Sequence, residues 1–378
     1  MGSSLSLLLI SVVCGIAGLL RLFRHKQLNL RGVLDAVAFG LVLPVIAAAV
    51  VAGVGVTDAI SAVHALYLLL TVTVPLISAG VLISWKRSAS ETRSSGAVLI
   101  VPIITSLFAL VGLYATHIEP RWLRIDEVAM EADIDIPIRI GVLADIQSPA
   151  VGAWEEKVFD ELIAGDPDVV LIAGDMWQVP TGDISPADRE PFDRLIRRLV
   201  QAVGPVFLVE GDHDRYRDLR DMAEATGAQL LLDEIAVIDI RGQSVAIAGL
   251  GLGAGGPWRV EAIAEIDTYN DEAFTILLSH RPETIHDLER EQRVDLIVSG
   301  HTHGGQVVLP LIGPLLYYPE VPRNVILGGL HELNDRPIYV STGAGVRAGT
   351  APQVRFGSRP SIGFIDVVPD PALTSAAP

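Results

Sequence analysis

Apolar and polar positions divide the chain into two parts with different patterns. The first part contains four long stretches that are apolar and free of charged side chains, at 1–20, 36–56, 61–83 and 97–116. Because about 20 apolar residues can cross a bilayer, they predict an anchor of four transmembrane helices over residues 1–116. After residue 117, short apolar runs alternate with amphipathic stretches, which predicts an α/β domain over residues 117–368.

The second part reads as strands separated by helices. The first strands are predicted at 136–144, 168–173 and 205–209, with helices at 154–164 and 187–202 between them. Further strands are predicted at 234–240, 243–249, 274–279, 294–299, 306–309, 337–341 and 361–367, with a helix at 282–290. Residues 369–378, rich in Ala, Pro and Ser, are predicted to be a disordered tail.

Basic residues flank the predicted spans unevenly. Seven lie in the two loops that follow the first and third spans, and the linker 57–60 has none. Since basic loops stay in the cytoplasm, the α/β domain is expected on the extracytoplasmic face of the cell membrane, although Arg121 and Arg124 follow the fourth span. The first span lacks the basic start of a signal peptide, so cleavage is the less favoured alternative.

Composition and charge narrow the function further. Mean hydropathy is +0.44, which is high for a soluble protein and fits an integral membrane protein. Residues 117–378 hold 42 of the 45 acidic residues but 21 of the 28 basic ones, which argues against nucleic acid as a partner. The single cysteine, Cys14, lies in the first predicted span, so the α/β domain has no disulfide and no thiol nucleophile.

Polar side chains follow five of the predicted strands where each strand ends. Taken singly, an Asp after a strand is usually a turn former, and a lone His is usually a core residue. Because the carboxyl ends of parallel strands meet at one edge of a sheet, these groups are expected to converge in one crevice. The residues concerned are Asp145, Gln147, Asp175, Asp212, His213, Asp214, His280, His301 and His303.

Mixed carboxylate, amide and imidazole ligands suit divalent Mn, Fe or Zn. There are too many for one closed tetrahedral site, and a structural zinc site would usually include cysteine, which is absent here. The set fits a centre of two divalent ions about 3.5–4 Å apart that acts on a phosphoester.

In this order, the residues resemble the calcineurin-like metallophosphoesterases. The family pattern DxH, GD, GN/DHD/E, a single His and GHxH appears here as Asp145 with Gln147, GD at 174–175, GDHD at 211–214, His280 and GHTH at 300–303. The longer run GHTHGGQ, with YVSTGAG at 339–345 and RFG at 355–357, looks like the membrane-anchored bacterial branch. The resemblance covers about residues 120–368 and implies a four-layer αββα sandwich.

The resemblance also implies a role for each site residue. Three residues would hold the first metal, namely Asp145, Gln147 and His303, and three the second, namely Asp212, His280 and His301. Asp175 would bridge the two ions, with water as the nucleophile. His213 would be the general acid, oriented by Asp214.

The sequence departs from the family pattern at three positions. Gln147 stands where histidine is usual, so the first metal is expected to bind more loosely, and Asp212 stands where asparagine is commoner, which should raise affinity for the second. Gln178 replaces another usual Asp. A non-catalytic metal-binding sensor or scaffold with a weakened first site is therefore the alternative to an enzyme.

The leading hypothesis is a membrane-anchored phosphoesterase that hydrolyses a phosphodiester, pyrophosphate or phosphomonoester. Segment 310–336 is rich in Gly, Pro, Leu and Tyr. It is interpreted either as ordinary packing or as a rim beside the site for a lipid-linked or envelope substrate. Nothing in the pattern predicts an oligomeric state.

Overall fold

The computed structural model of the protein describes residues 2–24, 35–36, 40, 67, 69–87, 97–178, 184–253, 257–269, 273–289, 291–315, 320–346 and 353–371. The chain forms two compact units. The helical unit comprises Met1–Ile118 with Ala348–Gln353, and the α/β unit comprises Glu119–Arg347 with Val354–Pro378.

The helical unit contains the helices α1 (Gly2–Phe23), α2 (Val74–Arg87) and α3 (Ala97–Leu113). A π-helical turn at Leu69–Thr73 precedes α2, and another at Tyr114–Ile118 follows α3. These helices overlap three of the predicted spans, whereas 36–56 lies outside the described residues except at positions 36 and 40. Within the described part of the chain, no helix has both the length and the apolar content needed to cross a membrane. The predicted spans are therefore not confirmed.

The first sheet of the α/β unit is built on four parallel strands. Its order is β1 (Arg124–Ala132), β14 (Ser361–Pro369), β2 (Ile138–Leu143), β3 (Val169–Ile172), β4 (Val206–Leu208) and β5 (Gln229–Leu230). Strands β2 to β5 run parallel, and β14 lies antiparallel to β2 and parallel to β1. The carboxyl ends of β2, β3 and β4 therefore lie at one edge.

The second sheet has a parallel centre and antiparallel edges. Its order is β12 (Gly329–Leu333), β13 (Arg336–Val340), β9 (Leu296–Ser299), β8 (Phe274–Ser279), β7 (Gln243–Leu250) and β6 (Glu234–Ile240). The four central strands are parallel, and β12 and β6 are antiparallel to their neighbours. A separate hairpin is formed by β10 (Val308–Leu309) and β11 (Gly313–Pro314).

Alternation along the strands produces the layers, because successive side chains of a strand point to opposite faces. Ile138, Ile140 and Val142 of β2 belong to the core between the two sheets, whereas Leu143 packs in the core that includes helix residues. The outer face of the first sheet packs on α4 (Ala153–Ala164), α5 (Pro186–Val203) and α6 (Tyr216–Thr226). The second sheet packs on α7 (Pro257–Ile266) and α8 (Arg323–Ile326). This is a four-layer αββα sandwich.

Most of the predicted elements are confirmed within a few residues, and the exceptions have local causes. The strand predicted at 306–309 is only β10, and the helix predicted at 282–290 is a 3₁₀ helix at Pro282–Asp287. The pattern misses the strands β1, β5, β11 and β12 and the helices α6, α7 and α8. Strand β1 is polar because its residues alternate between half-buried and exposed at the sheet edge. Strand β14 includes residue 369 of the predicted tail, and 372–378 lie outside the described residues.

Candidate metal centre

Loops from both sheets of the α/β unit converge at one end of the sandwich. The imidazole of His280 donates its Nδ1–H to the carbonyl of Ala173 at 2.7 Å, which joins the end of β8 to the end of β3. The backbone N–H of Gly300 donates to the carbonyl of His280, and that of Gln147 to the carbonyl of Asp175, both at 3.0 Å. The strand ends thereby bring together predicted ligands from both sheets, namely Asp145, Asp175, Asp212, His280 and His301.

The backbone of these loops is unusual. Five of the seven predicted ligands adopt the left-handed conformation, at φ values of 49° for Asp145, 43° for Gln147, 57° for Asp175, 69° for His301 and 50° for His303. Each such residue costs roughly 1–3 kcal/mol unless the surroundings hold it. Here the loops are held by close backbone contacts, which glycines permit. A Cβ on Gly211 would lie 2.2 Å from the Asp175 nitrogen, and one on Gly345 would lie 1.8 Å from the Ile146 carbonyl oxygen.

We define the first half of the centre as Asp145, Gln147 and His303, the residues predicted to hold the first metal. All three side chains are buried. Oδ1 of Asp145 lies 3.6 Å from Nε2 of His303, and Oδ2 accepts the backbone N–H of His301 at 2.8 Å. Nε2 of Gln147 donates to Oδ2 of Asp175 at 2.5 Å. The structure therefore brings the three residues together around the predicted bridging carboxylate.

The second half, Asp212, His280 and His301, is more open. Oδ2 of Asp212 lies 2.9 Å from Nδ1 of His301 and 3.6 Å from Nε2 of His280, and these two nitrogens are 3.3 Å apart. Oδ1 of Asp212 pairs with the guanidinium of Arg281. One potential ligand atom from each residue of this half lies within 4.8 Å of the others, and Asp145, Asp175 and His280 form a second such group. His280, which belongs to the second half, therefore also lies close to Asp145 of the first half.

The electrostatics of the centre favour positive charge. Burial raises the pKa of Asp145 to about 7, and the nearby His280 only partly opposes this. Burial also raises the pKa of Asp212, but hydrogen bonds from the imidazoles and Arg281 outweigh it and hold that pKa well below its usual range. Burial lowers the pKa of His280, but the surrounding carboxylates, Asp175 foremost, raise it to about 10. A divalent cation would satisfy these carboxylates in place of a proton.

His213, the predicted general acid, lies beside the ligands. Its backbone N–H donates to Oδ1 of Asp175 at 2.7 Å, so the loop that carries it is fixed to the centre. Its ring nitrogens lie 3.3 and 3.4 Å from Nε2 of Gln178. The imidazole is half-buried, which leaves it accessible to a bound substrate.

Asp214 has a role that the sequence does not predict. Its carboxylate accepts the backbone N–H groups of Asp175 at 2.7 Å, Met176 at 2.9 Å and Gly211 at 3.0 Å. Burial, with Asp175 nearby, raises its pKa to about 8. Asp214 thus holds the loop of Asp175, the predicted bridging residue, while the orientation of His213 by Asp214 stays a prediction.

A buried arginine adjoins the first half. Arg355 is fully buried and donates to the carbonyls of Gly345 at 2.9 Å, Thr342 at 2.8 Å and His303 at 3.4 Å. Burial lowers its pKa to about 10, although the charge of Asp145 opposes this. Arg355 therefore ties the loop of His303 to the loop after β13. Sequence reasoning noticed the RFG run at 355–357 but gave this residue no role, and it missed Arg281 although Arg281 directly follows a predicted ligand.

Two orphaned oxygen atoms show that the residues fit a metal. Among the described residues, Oδ1 of Asp145 and Oε1 of Gln147 are buried and have no hydrogen-bond partner. A buried acceptor without a partner is costly, and both atoms belong to residues predicted to hold the first metal. Because Nδ1 of His280 donates to a carbonyl, its Nε2 is left to face the ligand cluster, as is usual for metal-binding histidines.

Comparison with known proteins agrees with this geometry. Residues 138–305 match the family model for calcineurin-like phosphoesterase. The stretch at residues 138–305 is therefore similar to a calcineurin-like phosphoesterase domain. It contains every predicted site residue, and the family uses divalent metals, which the Asp and His clusters could bind.

Relatives of the calcineurin-like domain carry matching names. A Caenorhabditis elegans protein named as a metallophosphoesterase is 27% identical over 69% of this chain and 55% of its own length. Phosphodiesterase YaeI of Escherichia coli is 25% identical over 68% of this chain and 92% of its own length. A Danio rerio protein named "Transmembrane protein with metallophosphoesterase domain" is 24% identical over 70% of this chain and 63% of its own length. The chain thus spans about half of the length of the worm relative, and the family match and the names of these relatives indicate a phosphoesterase, a hydrolase of phosphoric ester bonds.

Proposed function

We propose that the protein is a membrane-anchored phosphoesterase that uses two divalent ions, of Mn, Fe or Zn, to hydrolyse a phosphodiester, pyrophosphate or phosphomonoester. The main support for this proposal is that potential metal ligands converge at one end of the sandwich, namely Asp145, Asp175, Asp212, His280 and His301. Two buried oxygens there, Oδ1 of Asp145 and Oε1 of Gln147, have no hydrogen-bond partner. The name of the Escherichia coli relative supports a phosphodiester among the three ester classes.

Each half of the centre has a task in this reaction. Asp145, Gln147 and His303 would hold one ion and Asp212, His280 and His301 the other, with Asp175 between them. Bound there, the ions would activate water as the nucleophile and neutralise the charge of the phosphoryl group. His213 stands beside the ligands, where its imidazole gives a proton to the leaving oxygen. Gln178 contacts that imidazole. The carboxylate of Asp214 accepts the backbone N–H groups of Asp175 and Gly211 and so holds the loops of these two residues in place.

The membrane anchor is part of the proposal. Four apolar stretches without charged residues precede the α/β unit, and the name of the zebrafish relative includes "transmembrane protein". The distribution of basic residues favours an extracytoplasmic phosphoesterase domain, where lipid-linked or envelope precursors are candidate substrates. A reporter enzyme fused after residue 378 tests the orientation, because a signal in the cytoplasm would reverse it.

Metal content and turnover of the purified full-length chain test the catalytic proposal. We expect close to two ions per chain and hydrolysis of bis-p-nitrophenyl phosphate with Mn²⁺. His213→Ala should lower kcat by about 10²–10⁴-fold without loss of metal, as for a missing general acid. His331→Ala is the matched control, because His331 lies on β12 and contacts the carbonyl of Gly328. One ion or fewer per chain, with no turnover under any divalent ion, would contradict an enzyme.

One observation favours the second candidate, a non-catalytic metal sensor or scaffold. The amide nitrogen of Gln147 donates to Oδ2 of Asp175, so in this orientation an N–H group faces the predicted bridging carboxylate. A metal ligand would have to be the oxygen, Oε1, and the two amide orientations are related by a flip. A single bound ion at the second half together with absent turnover would support the sensor.

A further inference from the structure

An apolar hairpin extends from the α/β unit next to the metal centre. We call residues 308–315, which include β10 and β11, the apolar hairpin. Leu311 at its tip is 108% exposed, Ile312 is 60% exposed and Leu315 is 46% exposed. Leu311 also adopts a left-handed backbone, at φ 68°. Leu311 and Ile312 lie at the tip, and Leu315 lies at the base, where its N–H donates to the carbonyl of Val307 at 2.9 Å. Three exposed, large apolar side chains within one short hairpin mark a surface that something else covers.

The described residues that flank the apolar hairpin lie near the metal centre. The hairpin begins three residues after the 3₁₀ helix His303–Gly305, which carries a predicted ligand. After the hairpin, Glu320 lines a cavity of about 190 Å³ together with His280 and Arg281. The hairpin thus lies in the sequence between His303 of the first half and Glu320, which lies beside His280 of the second half.

The sequence around the apolar hairpin fits a lipid surface. No charged side chain occurs between His303 and Glu320, although the α/β unit is strongly acidic, and the sequence places two tyrosines, Tyr317 and Tyr318, after the tip. Nη1 of the exposed Arg323 lies 3.4 Å from the carbonyl of Ile312. An apolar tip, an arginine near it and two tyrosines that follow it in the sequence are the residue types of the bilayer interface, where aromatic rings and cations lie at headgroup level.

The base of the apolar hairpin is tied to the point where the chain enters the α/β unit. The N–H of Val308 donates to the carbonyl of Phe356 at 2.7 Å. The next two N–H groups, of Gly357 and Ser358, donate to the carboxylate of Glu119 at 3.0 and 2.8 Å. Glu119 is the first residue of the unit. The hairpin is therefore linked through these contacts to the residue at which the α/β unit begins.

We propose that the apolar hairpin inserts into the surface of the bilayer that anchors the chain and brings the metal centre to lipid-linked phosphoesters. The inference rests on the membrane anchor of the proposed function. Three exposed side chains cover much less than the roughly 800 Å² per partner of a stable protein interface, which disfavours a second copy of the chain. Three apolar side chains do suffice for shallow insertion into a membrane to which the chain is already anchored.

Site-specific fluorescence of the full-length chain in phosphatidylcholine vesicles tests the insertion. In a Cys14→Ser background, Leu311→Cys or Ile312→Cys carries an environment-sensitive nitrobenzoxadiazole label. The matched control is Val237→Cys on β6, because Val237 is also about half exposed but belongs to the far edge of the second sheet. We expect a blue-shifted emission at 311 and 312 that doxyl-labelled lipid quenches, and neither effect at 237. Hydrolysis of bis-p-nitrophenyl phosphate by each labelled chain checks that it is folded.

The outcomes separate this inference from the proposed function. A water-like, unquenched emission at 311 and 312 in an active, vesicle-bound chain overturns the inserted hairpin but leaves the phosphoesterase intact. A disulfide-linked dimer of the unlabelled Leu311→Cys chain, without quenching, would instead assign the hairpin to a second copy. If the chain does not float with vesicles, the anchor fails. In that case the labelled chain is added to preformed vesicles. Quenching of the label at 311 by doxyl-labelled lipid still supports insertion of the hairpin, and the absence of quenching overturns it.

Discussion

The two halves of the metal centre are held by different means. In the first half, Asp145, Gln147 and His303 are buried and all have left-handed backbones. In the second half, only His301 has such a backbone, and Asp212 is held by an ion pair with Arg281 whose partners are both partly exposed. Packing and strain therefore position the first half. In the second half, an ion pair holds Asp212, whereas the buried His280 is held by its hydrogen bond to the carbonyl of Ala173.

This difference separates the part of the centre that is linked to the stability of the fold from the part that is open to solvent and substrate. Strained loops stay in place only when the fold over-determines them, so the first half is coupled to stability. The second half borders the cavity that Arg281 and Glu320 line, so it is the half that meets solvent and substrate. We expect mutations around the first half to change both folding and metal binding, and mutations at the partly exposed pair of Asp212 and Arg281 to change metal binding alone.

The largest expected effect is that of Arg355→Met. Removal of a buried cation leaves the carbonyls of Gly345, Thr342 and His303 without their donor. We expect a loss of about 3–5 kcal/mol in the free energy of unfolding, the range for breaking a buried charged network. The same variant should lose its first metal, because the loop of His303 is released. Thermal unfolding and metal titration measure the two effects.

Arg336→Met is the matched control for this coupling. Arg336 is also a buried arginine that donates to backbone carbonyls, those of Glu289, Gln292 and Asn334, but none of these residues is a predicted ligand. It should lower stability by a similar amount while both metals still bind at saturating concentration. Equal loss of the first metal in both variants would show that general destabilisation, and not the His303 loop, is responsible.

Gln147→His tests the weak ligand of the first half directly. Imidazole is a better ligand than an amide oxygen for Mn, Fe or Zn. We expect the first metal to bind more tightly by on the order of tenfold, the scale on which single changes around a metal alter its affinity. Gln178→His is the control, because it places an imidazole near the centre at a residue that is not a predicted ligand. Unchanged first-metal affinity in Gln147→His would mean that this side chain is not a ligand.

The sequence predicts that the candidate ligands lie close together for a simple reason. Asp145, Asp175 and His301 each follow a buried parallel strand, and parallel strands bring such residues to one edge regardless of the loops between. The layers were likewise predictable, since alternation in strands such as β2 fixes which side chains face each core. Strand β1 was missed because an edge strand with one half-exposed face lacks a continuous apolar run.

The sequence does not predict the hydrogen bonds between loops that are far apart along the chain. Arg355 reaches His303 across 52 positions of the chain, and Asp214 reaches the amide of Asp175 across 39. No local pattern encodes such contacts. The left-handed backbones of the ligands are equally invisible, because Asp, Gln and His carry no sign of them in the sequence.

Arg281→Gln examines the charge pairing of the second half. The guanidinium and a metal ion compete for the carboxylate of Asp212, so removing the guanidinium should strengthen binding of the second metal. Because this pair is partly exposed, we expect about 1 kcal/mol, roughly fivefold in affinity. The effect should vanish in an Asp212→Asn background, and Arg220→Gln on α6, an exposed arginine, should have none. Weaker binding in Arg281→Gln would mean that the arginine orients Asp212 more than it competes with the metal.

The smallest expected effect is that of Gln178→Ala, which tests whether Gln178 acts through His213. Its amide nitrogen lies 3.3 and 3.4 Å from the ring nitrogens, at the long end for a hydrogen bond, so we expect about 0.5 kcal/mol, roughly a twofold loss in kcat. Metal affinity and stability should not change, because Gln178 belongs to neither half. In a His213→Ala background the same substitution should have no further effect on kcat. A twofold loss that persists there would place Gln178 in direct contact with the substrate and not behind the general acid.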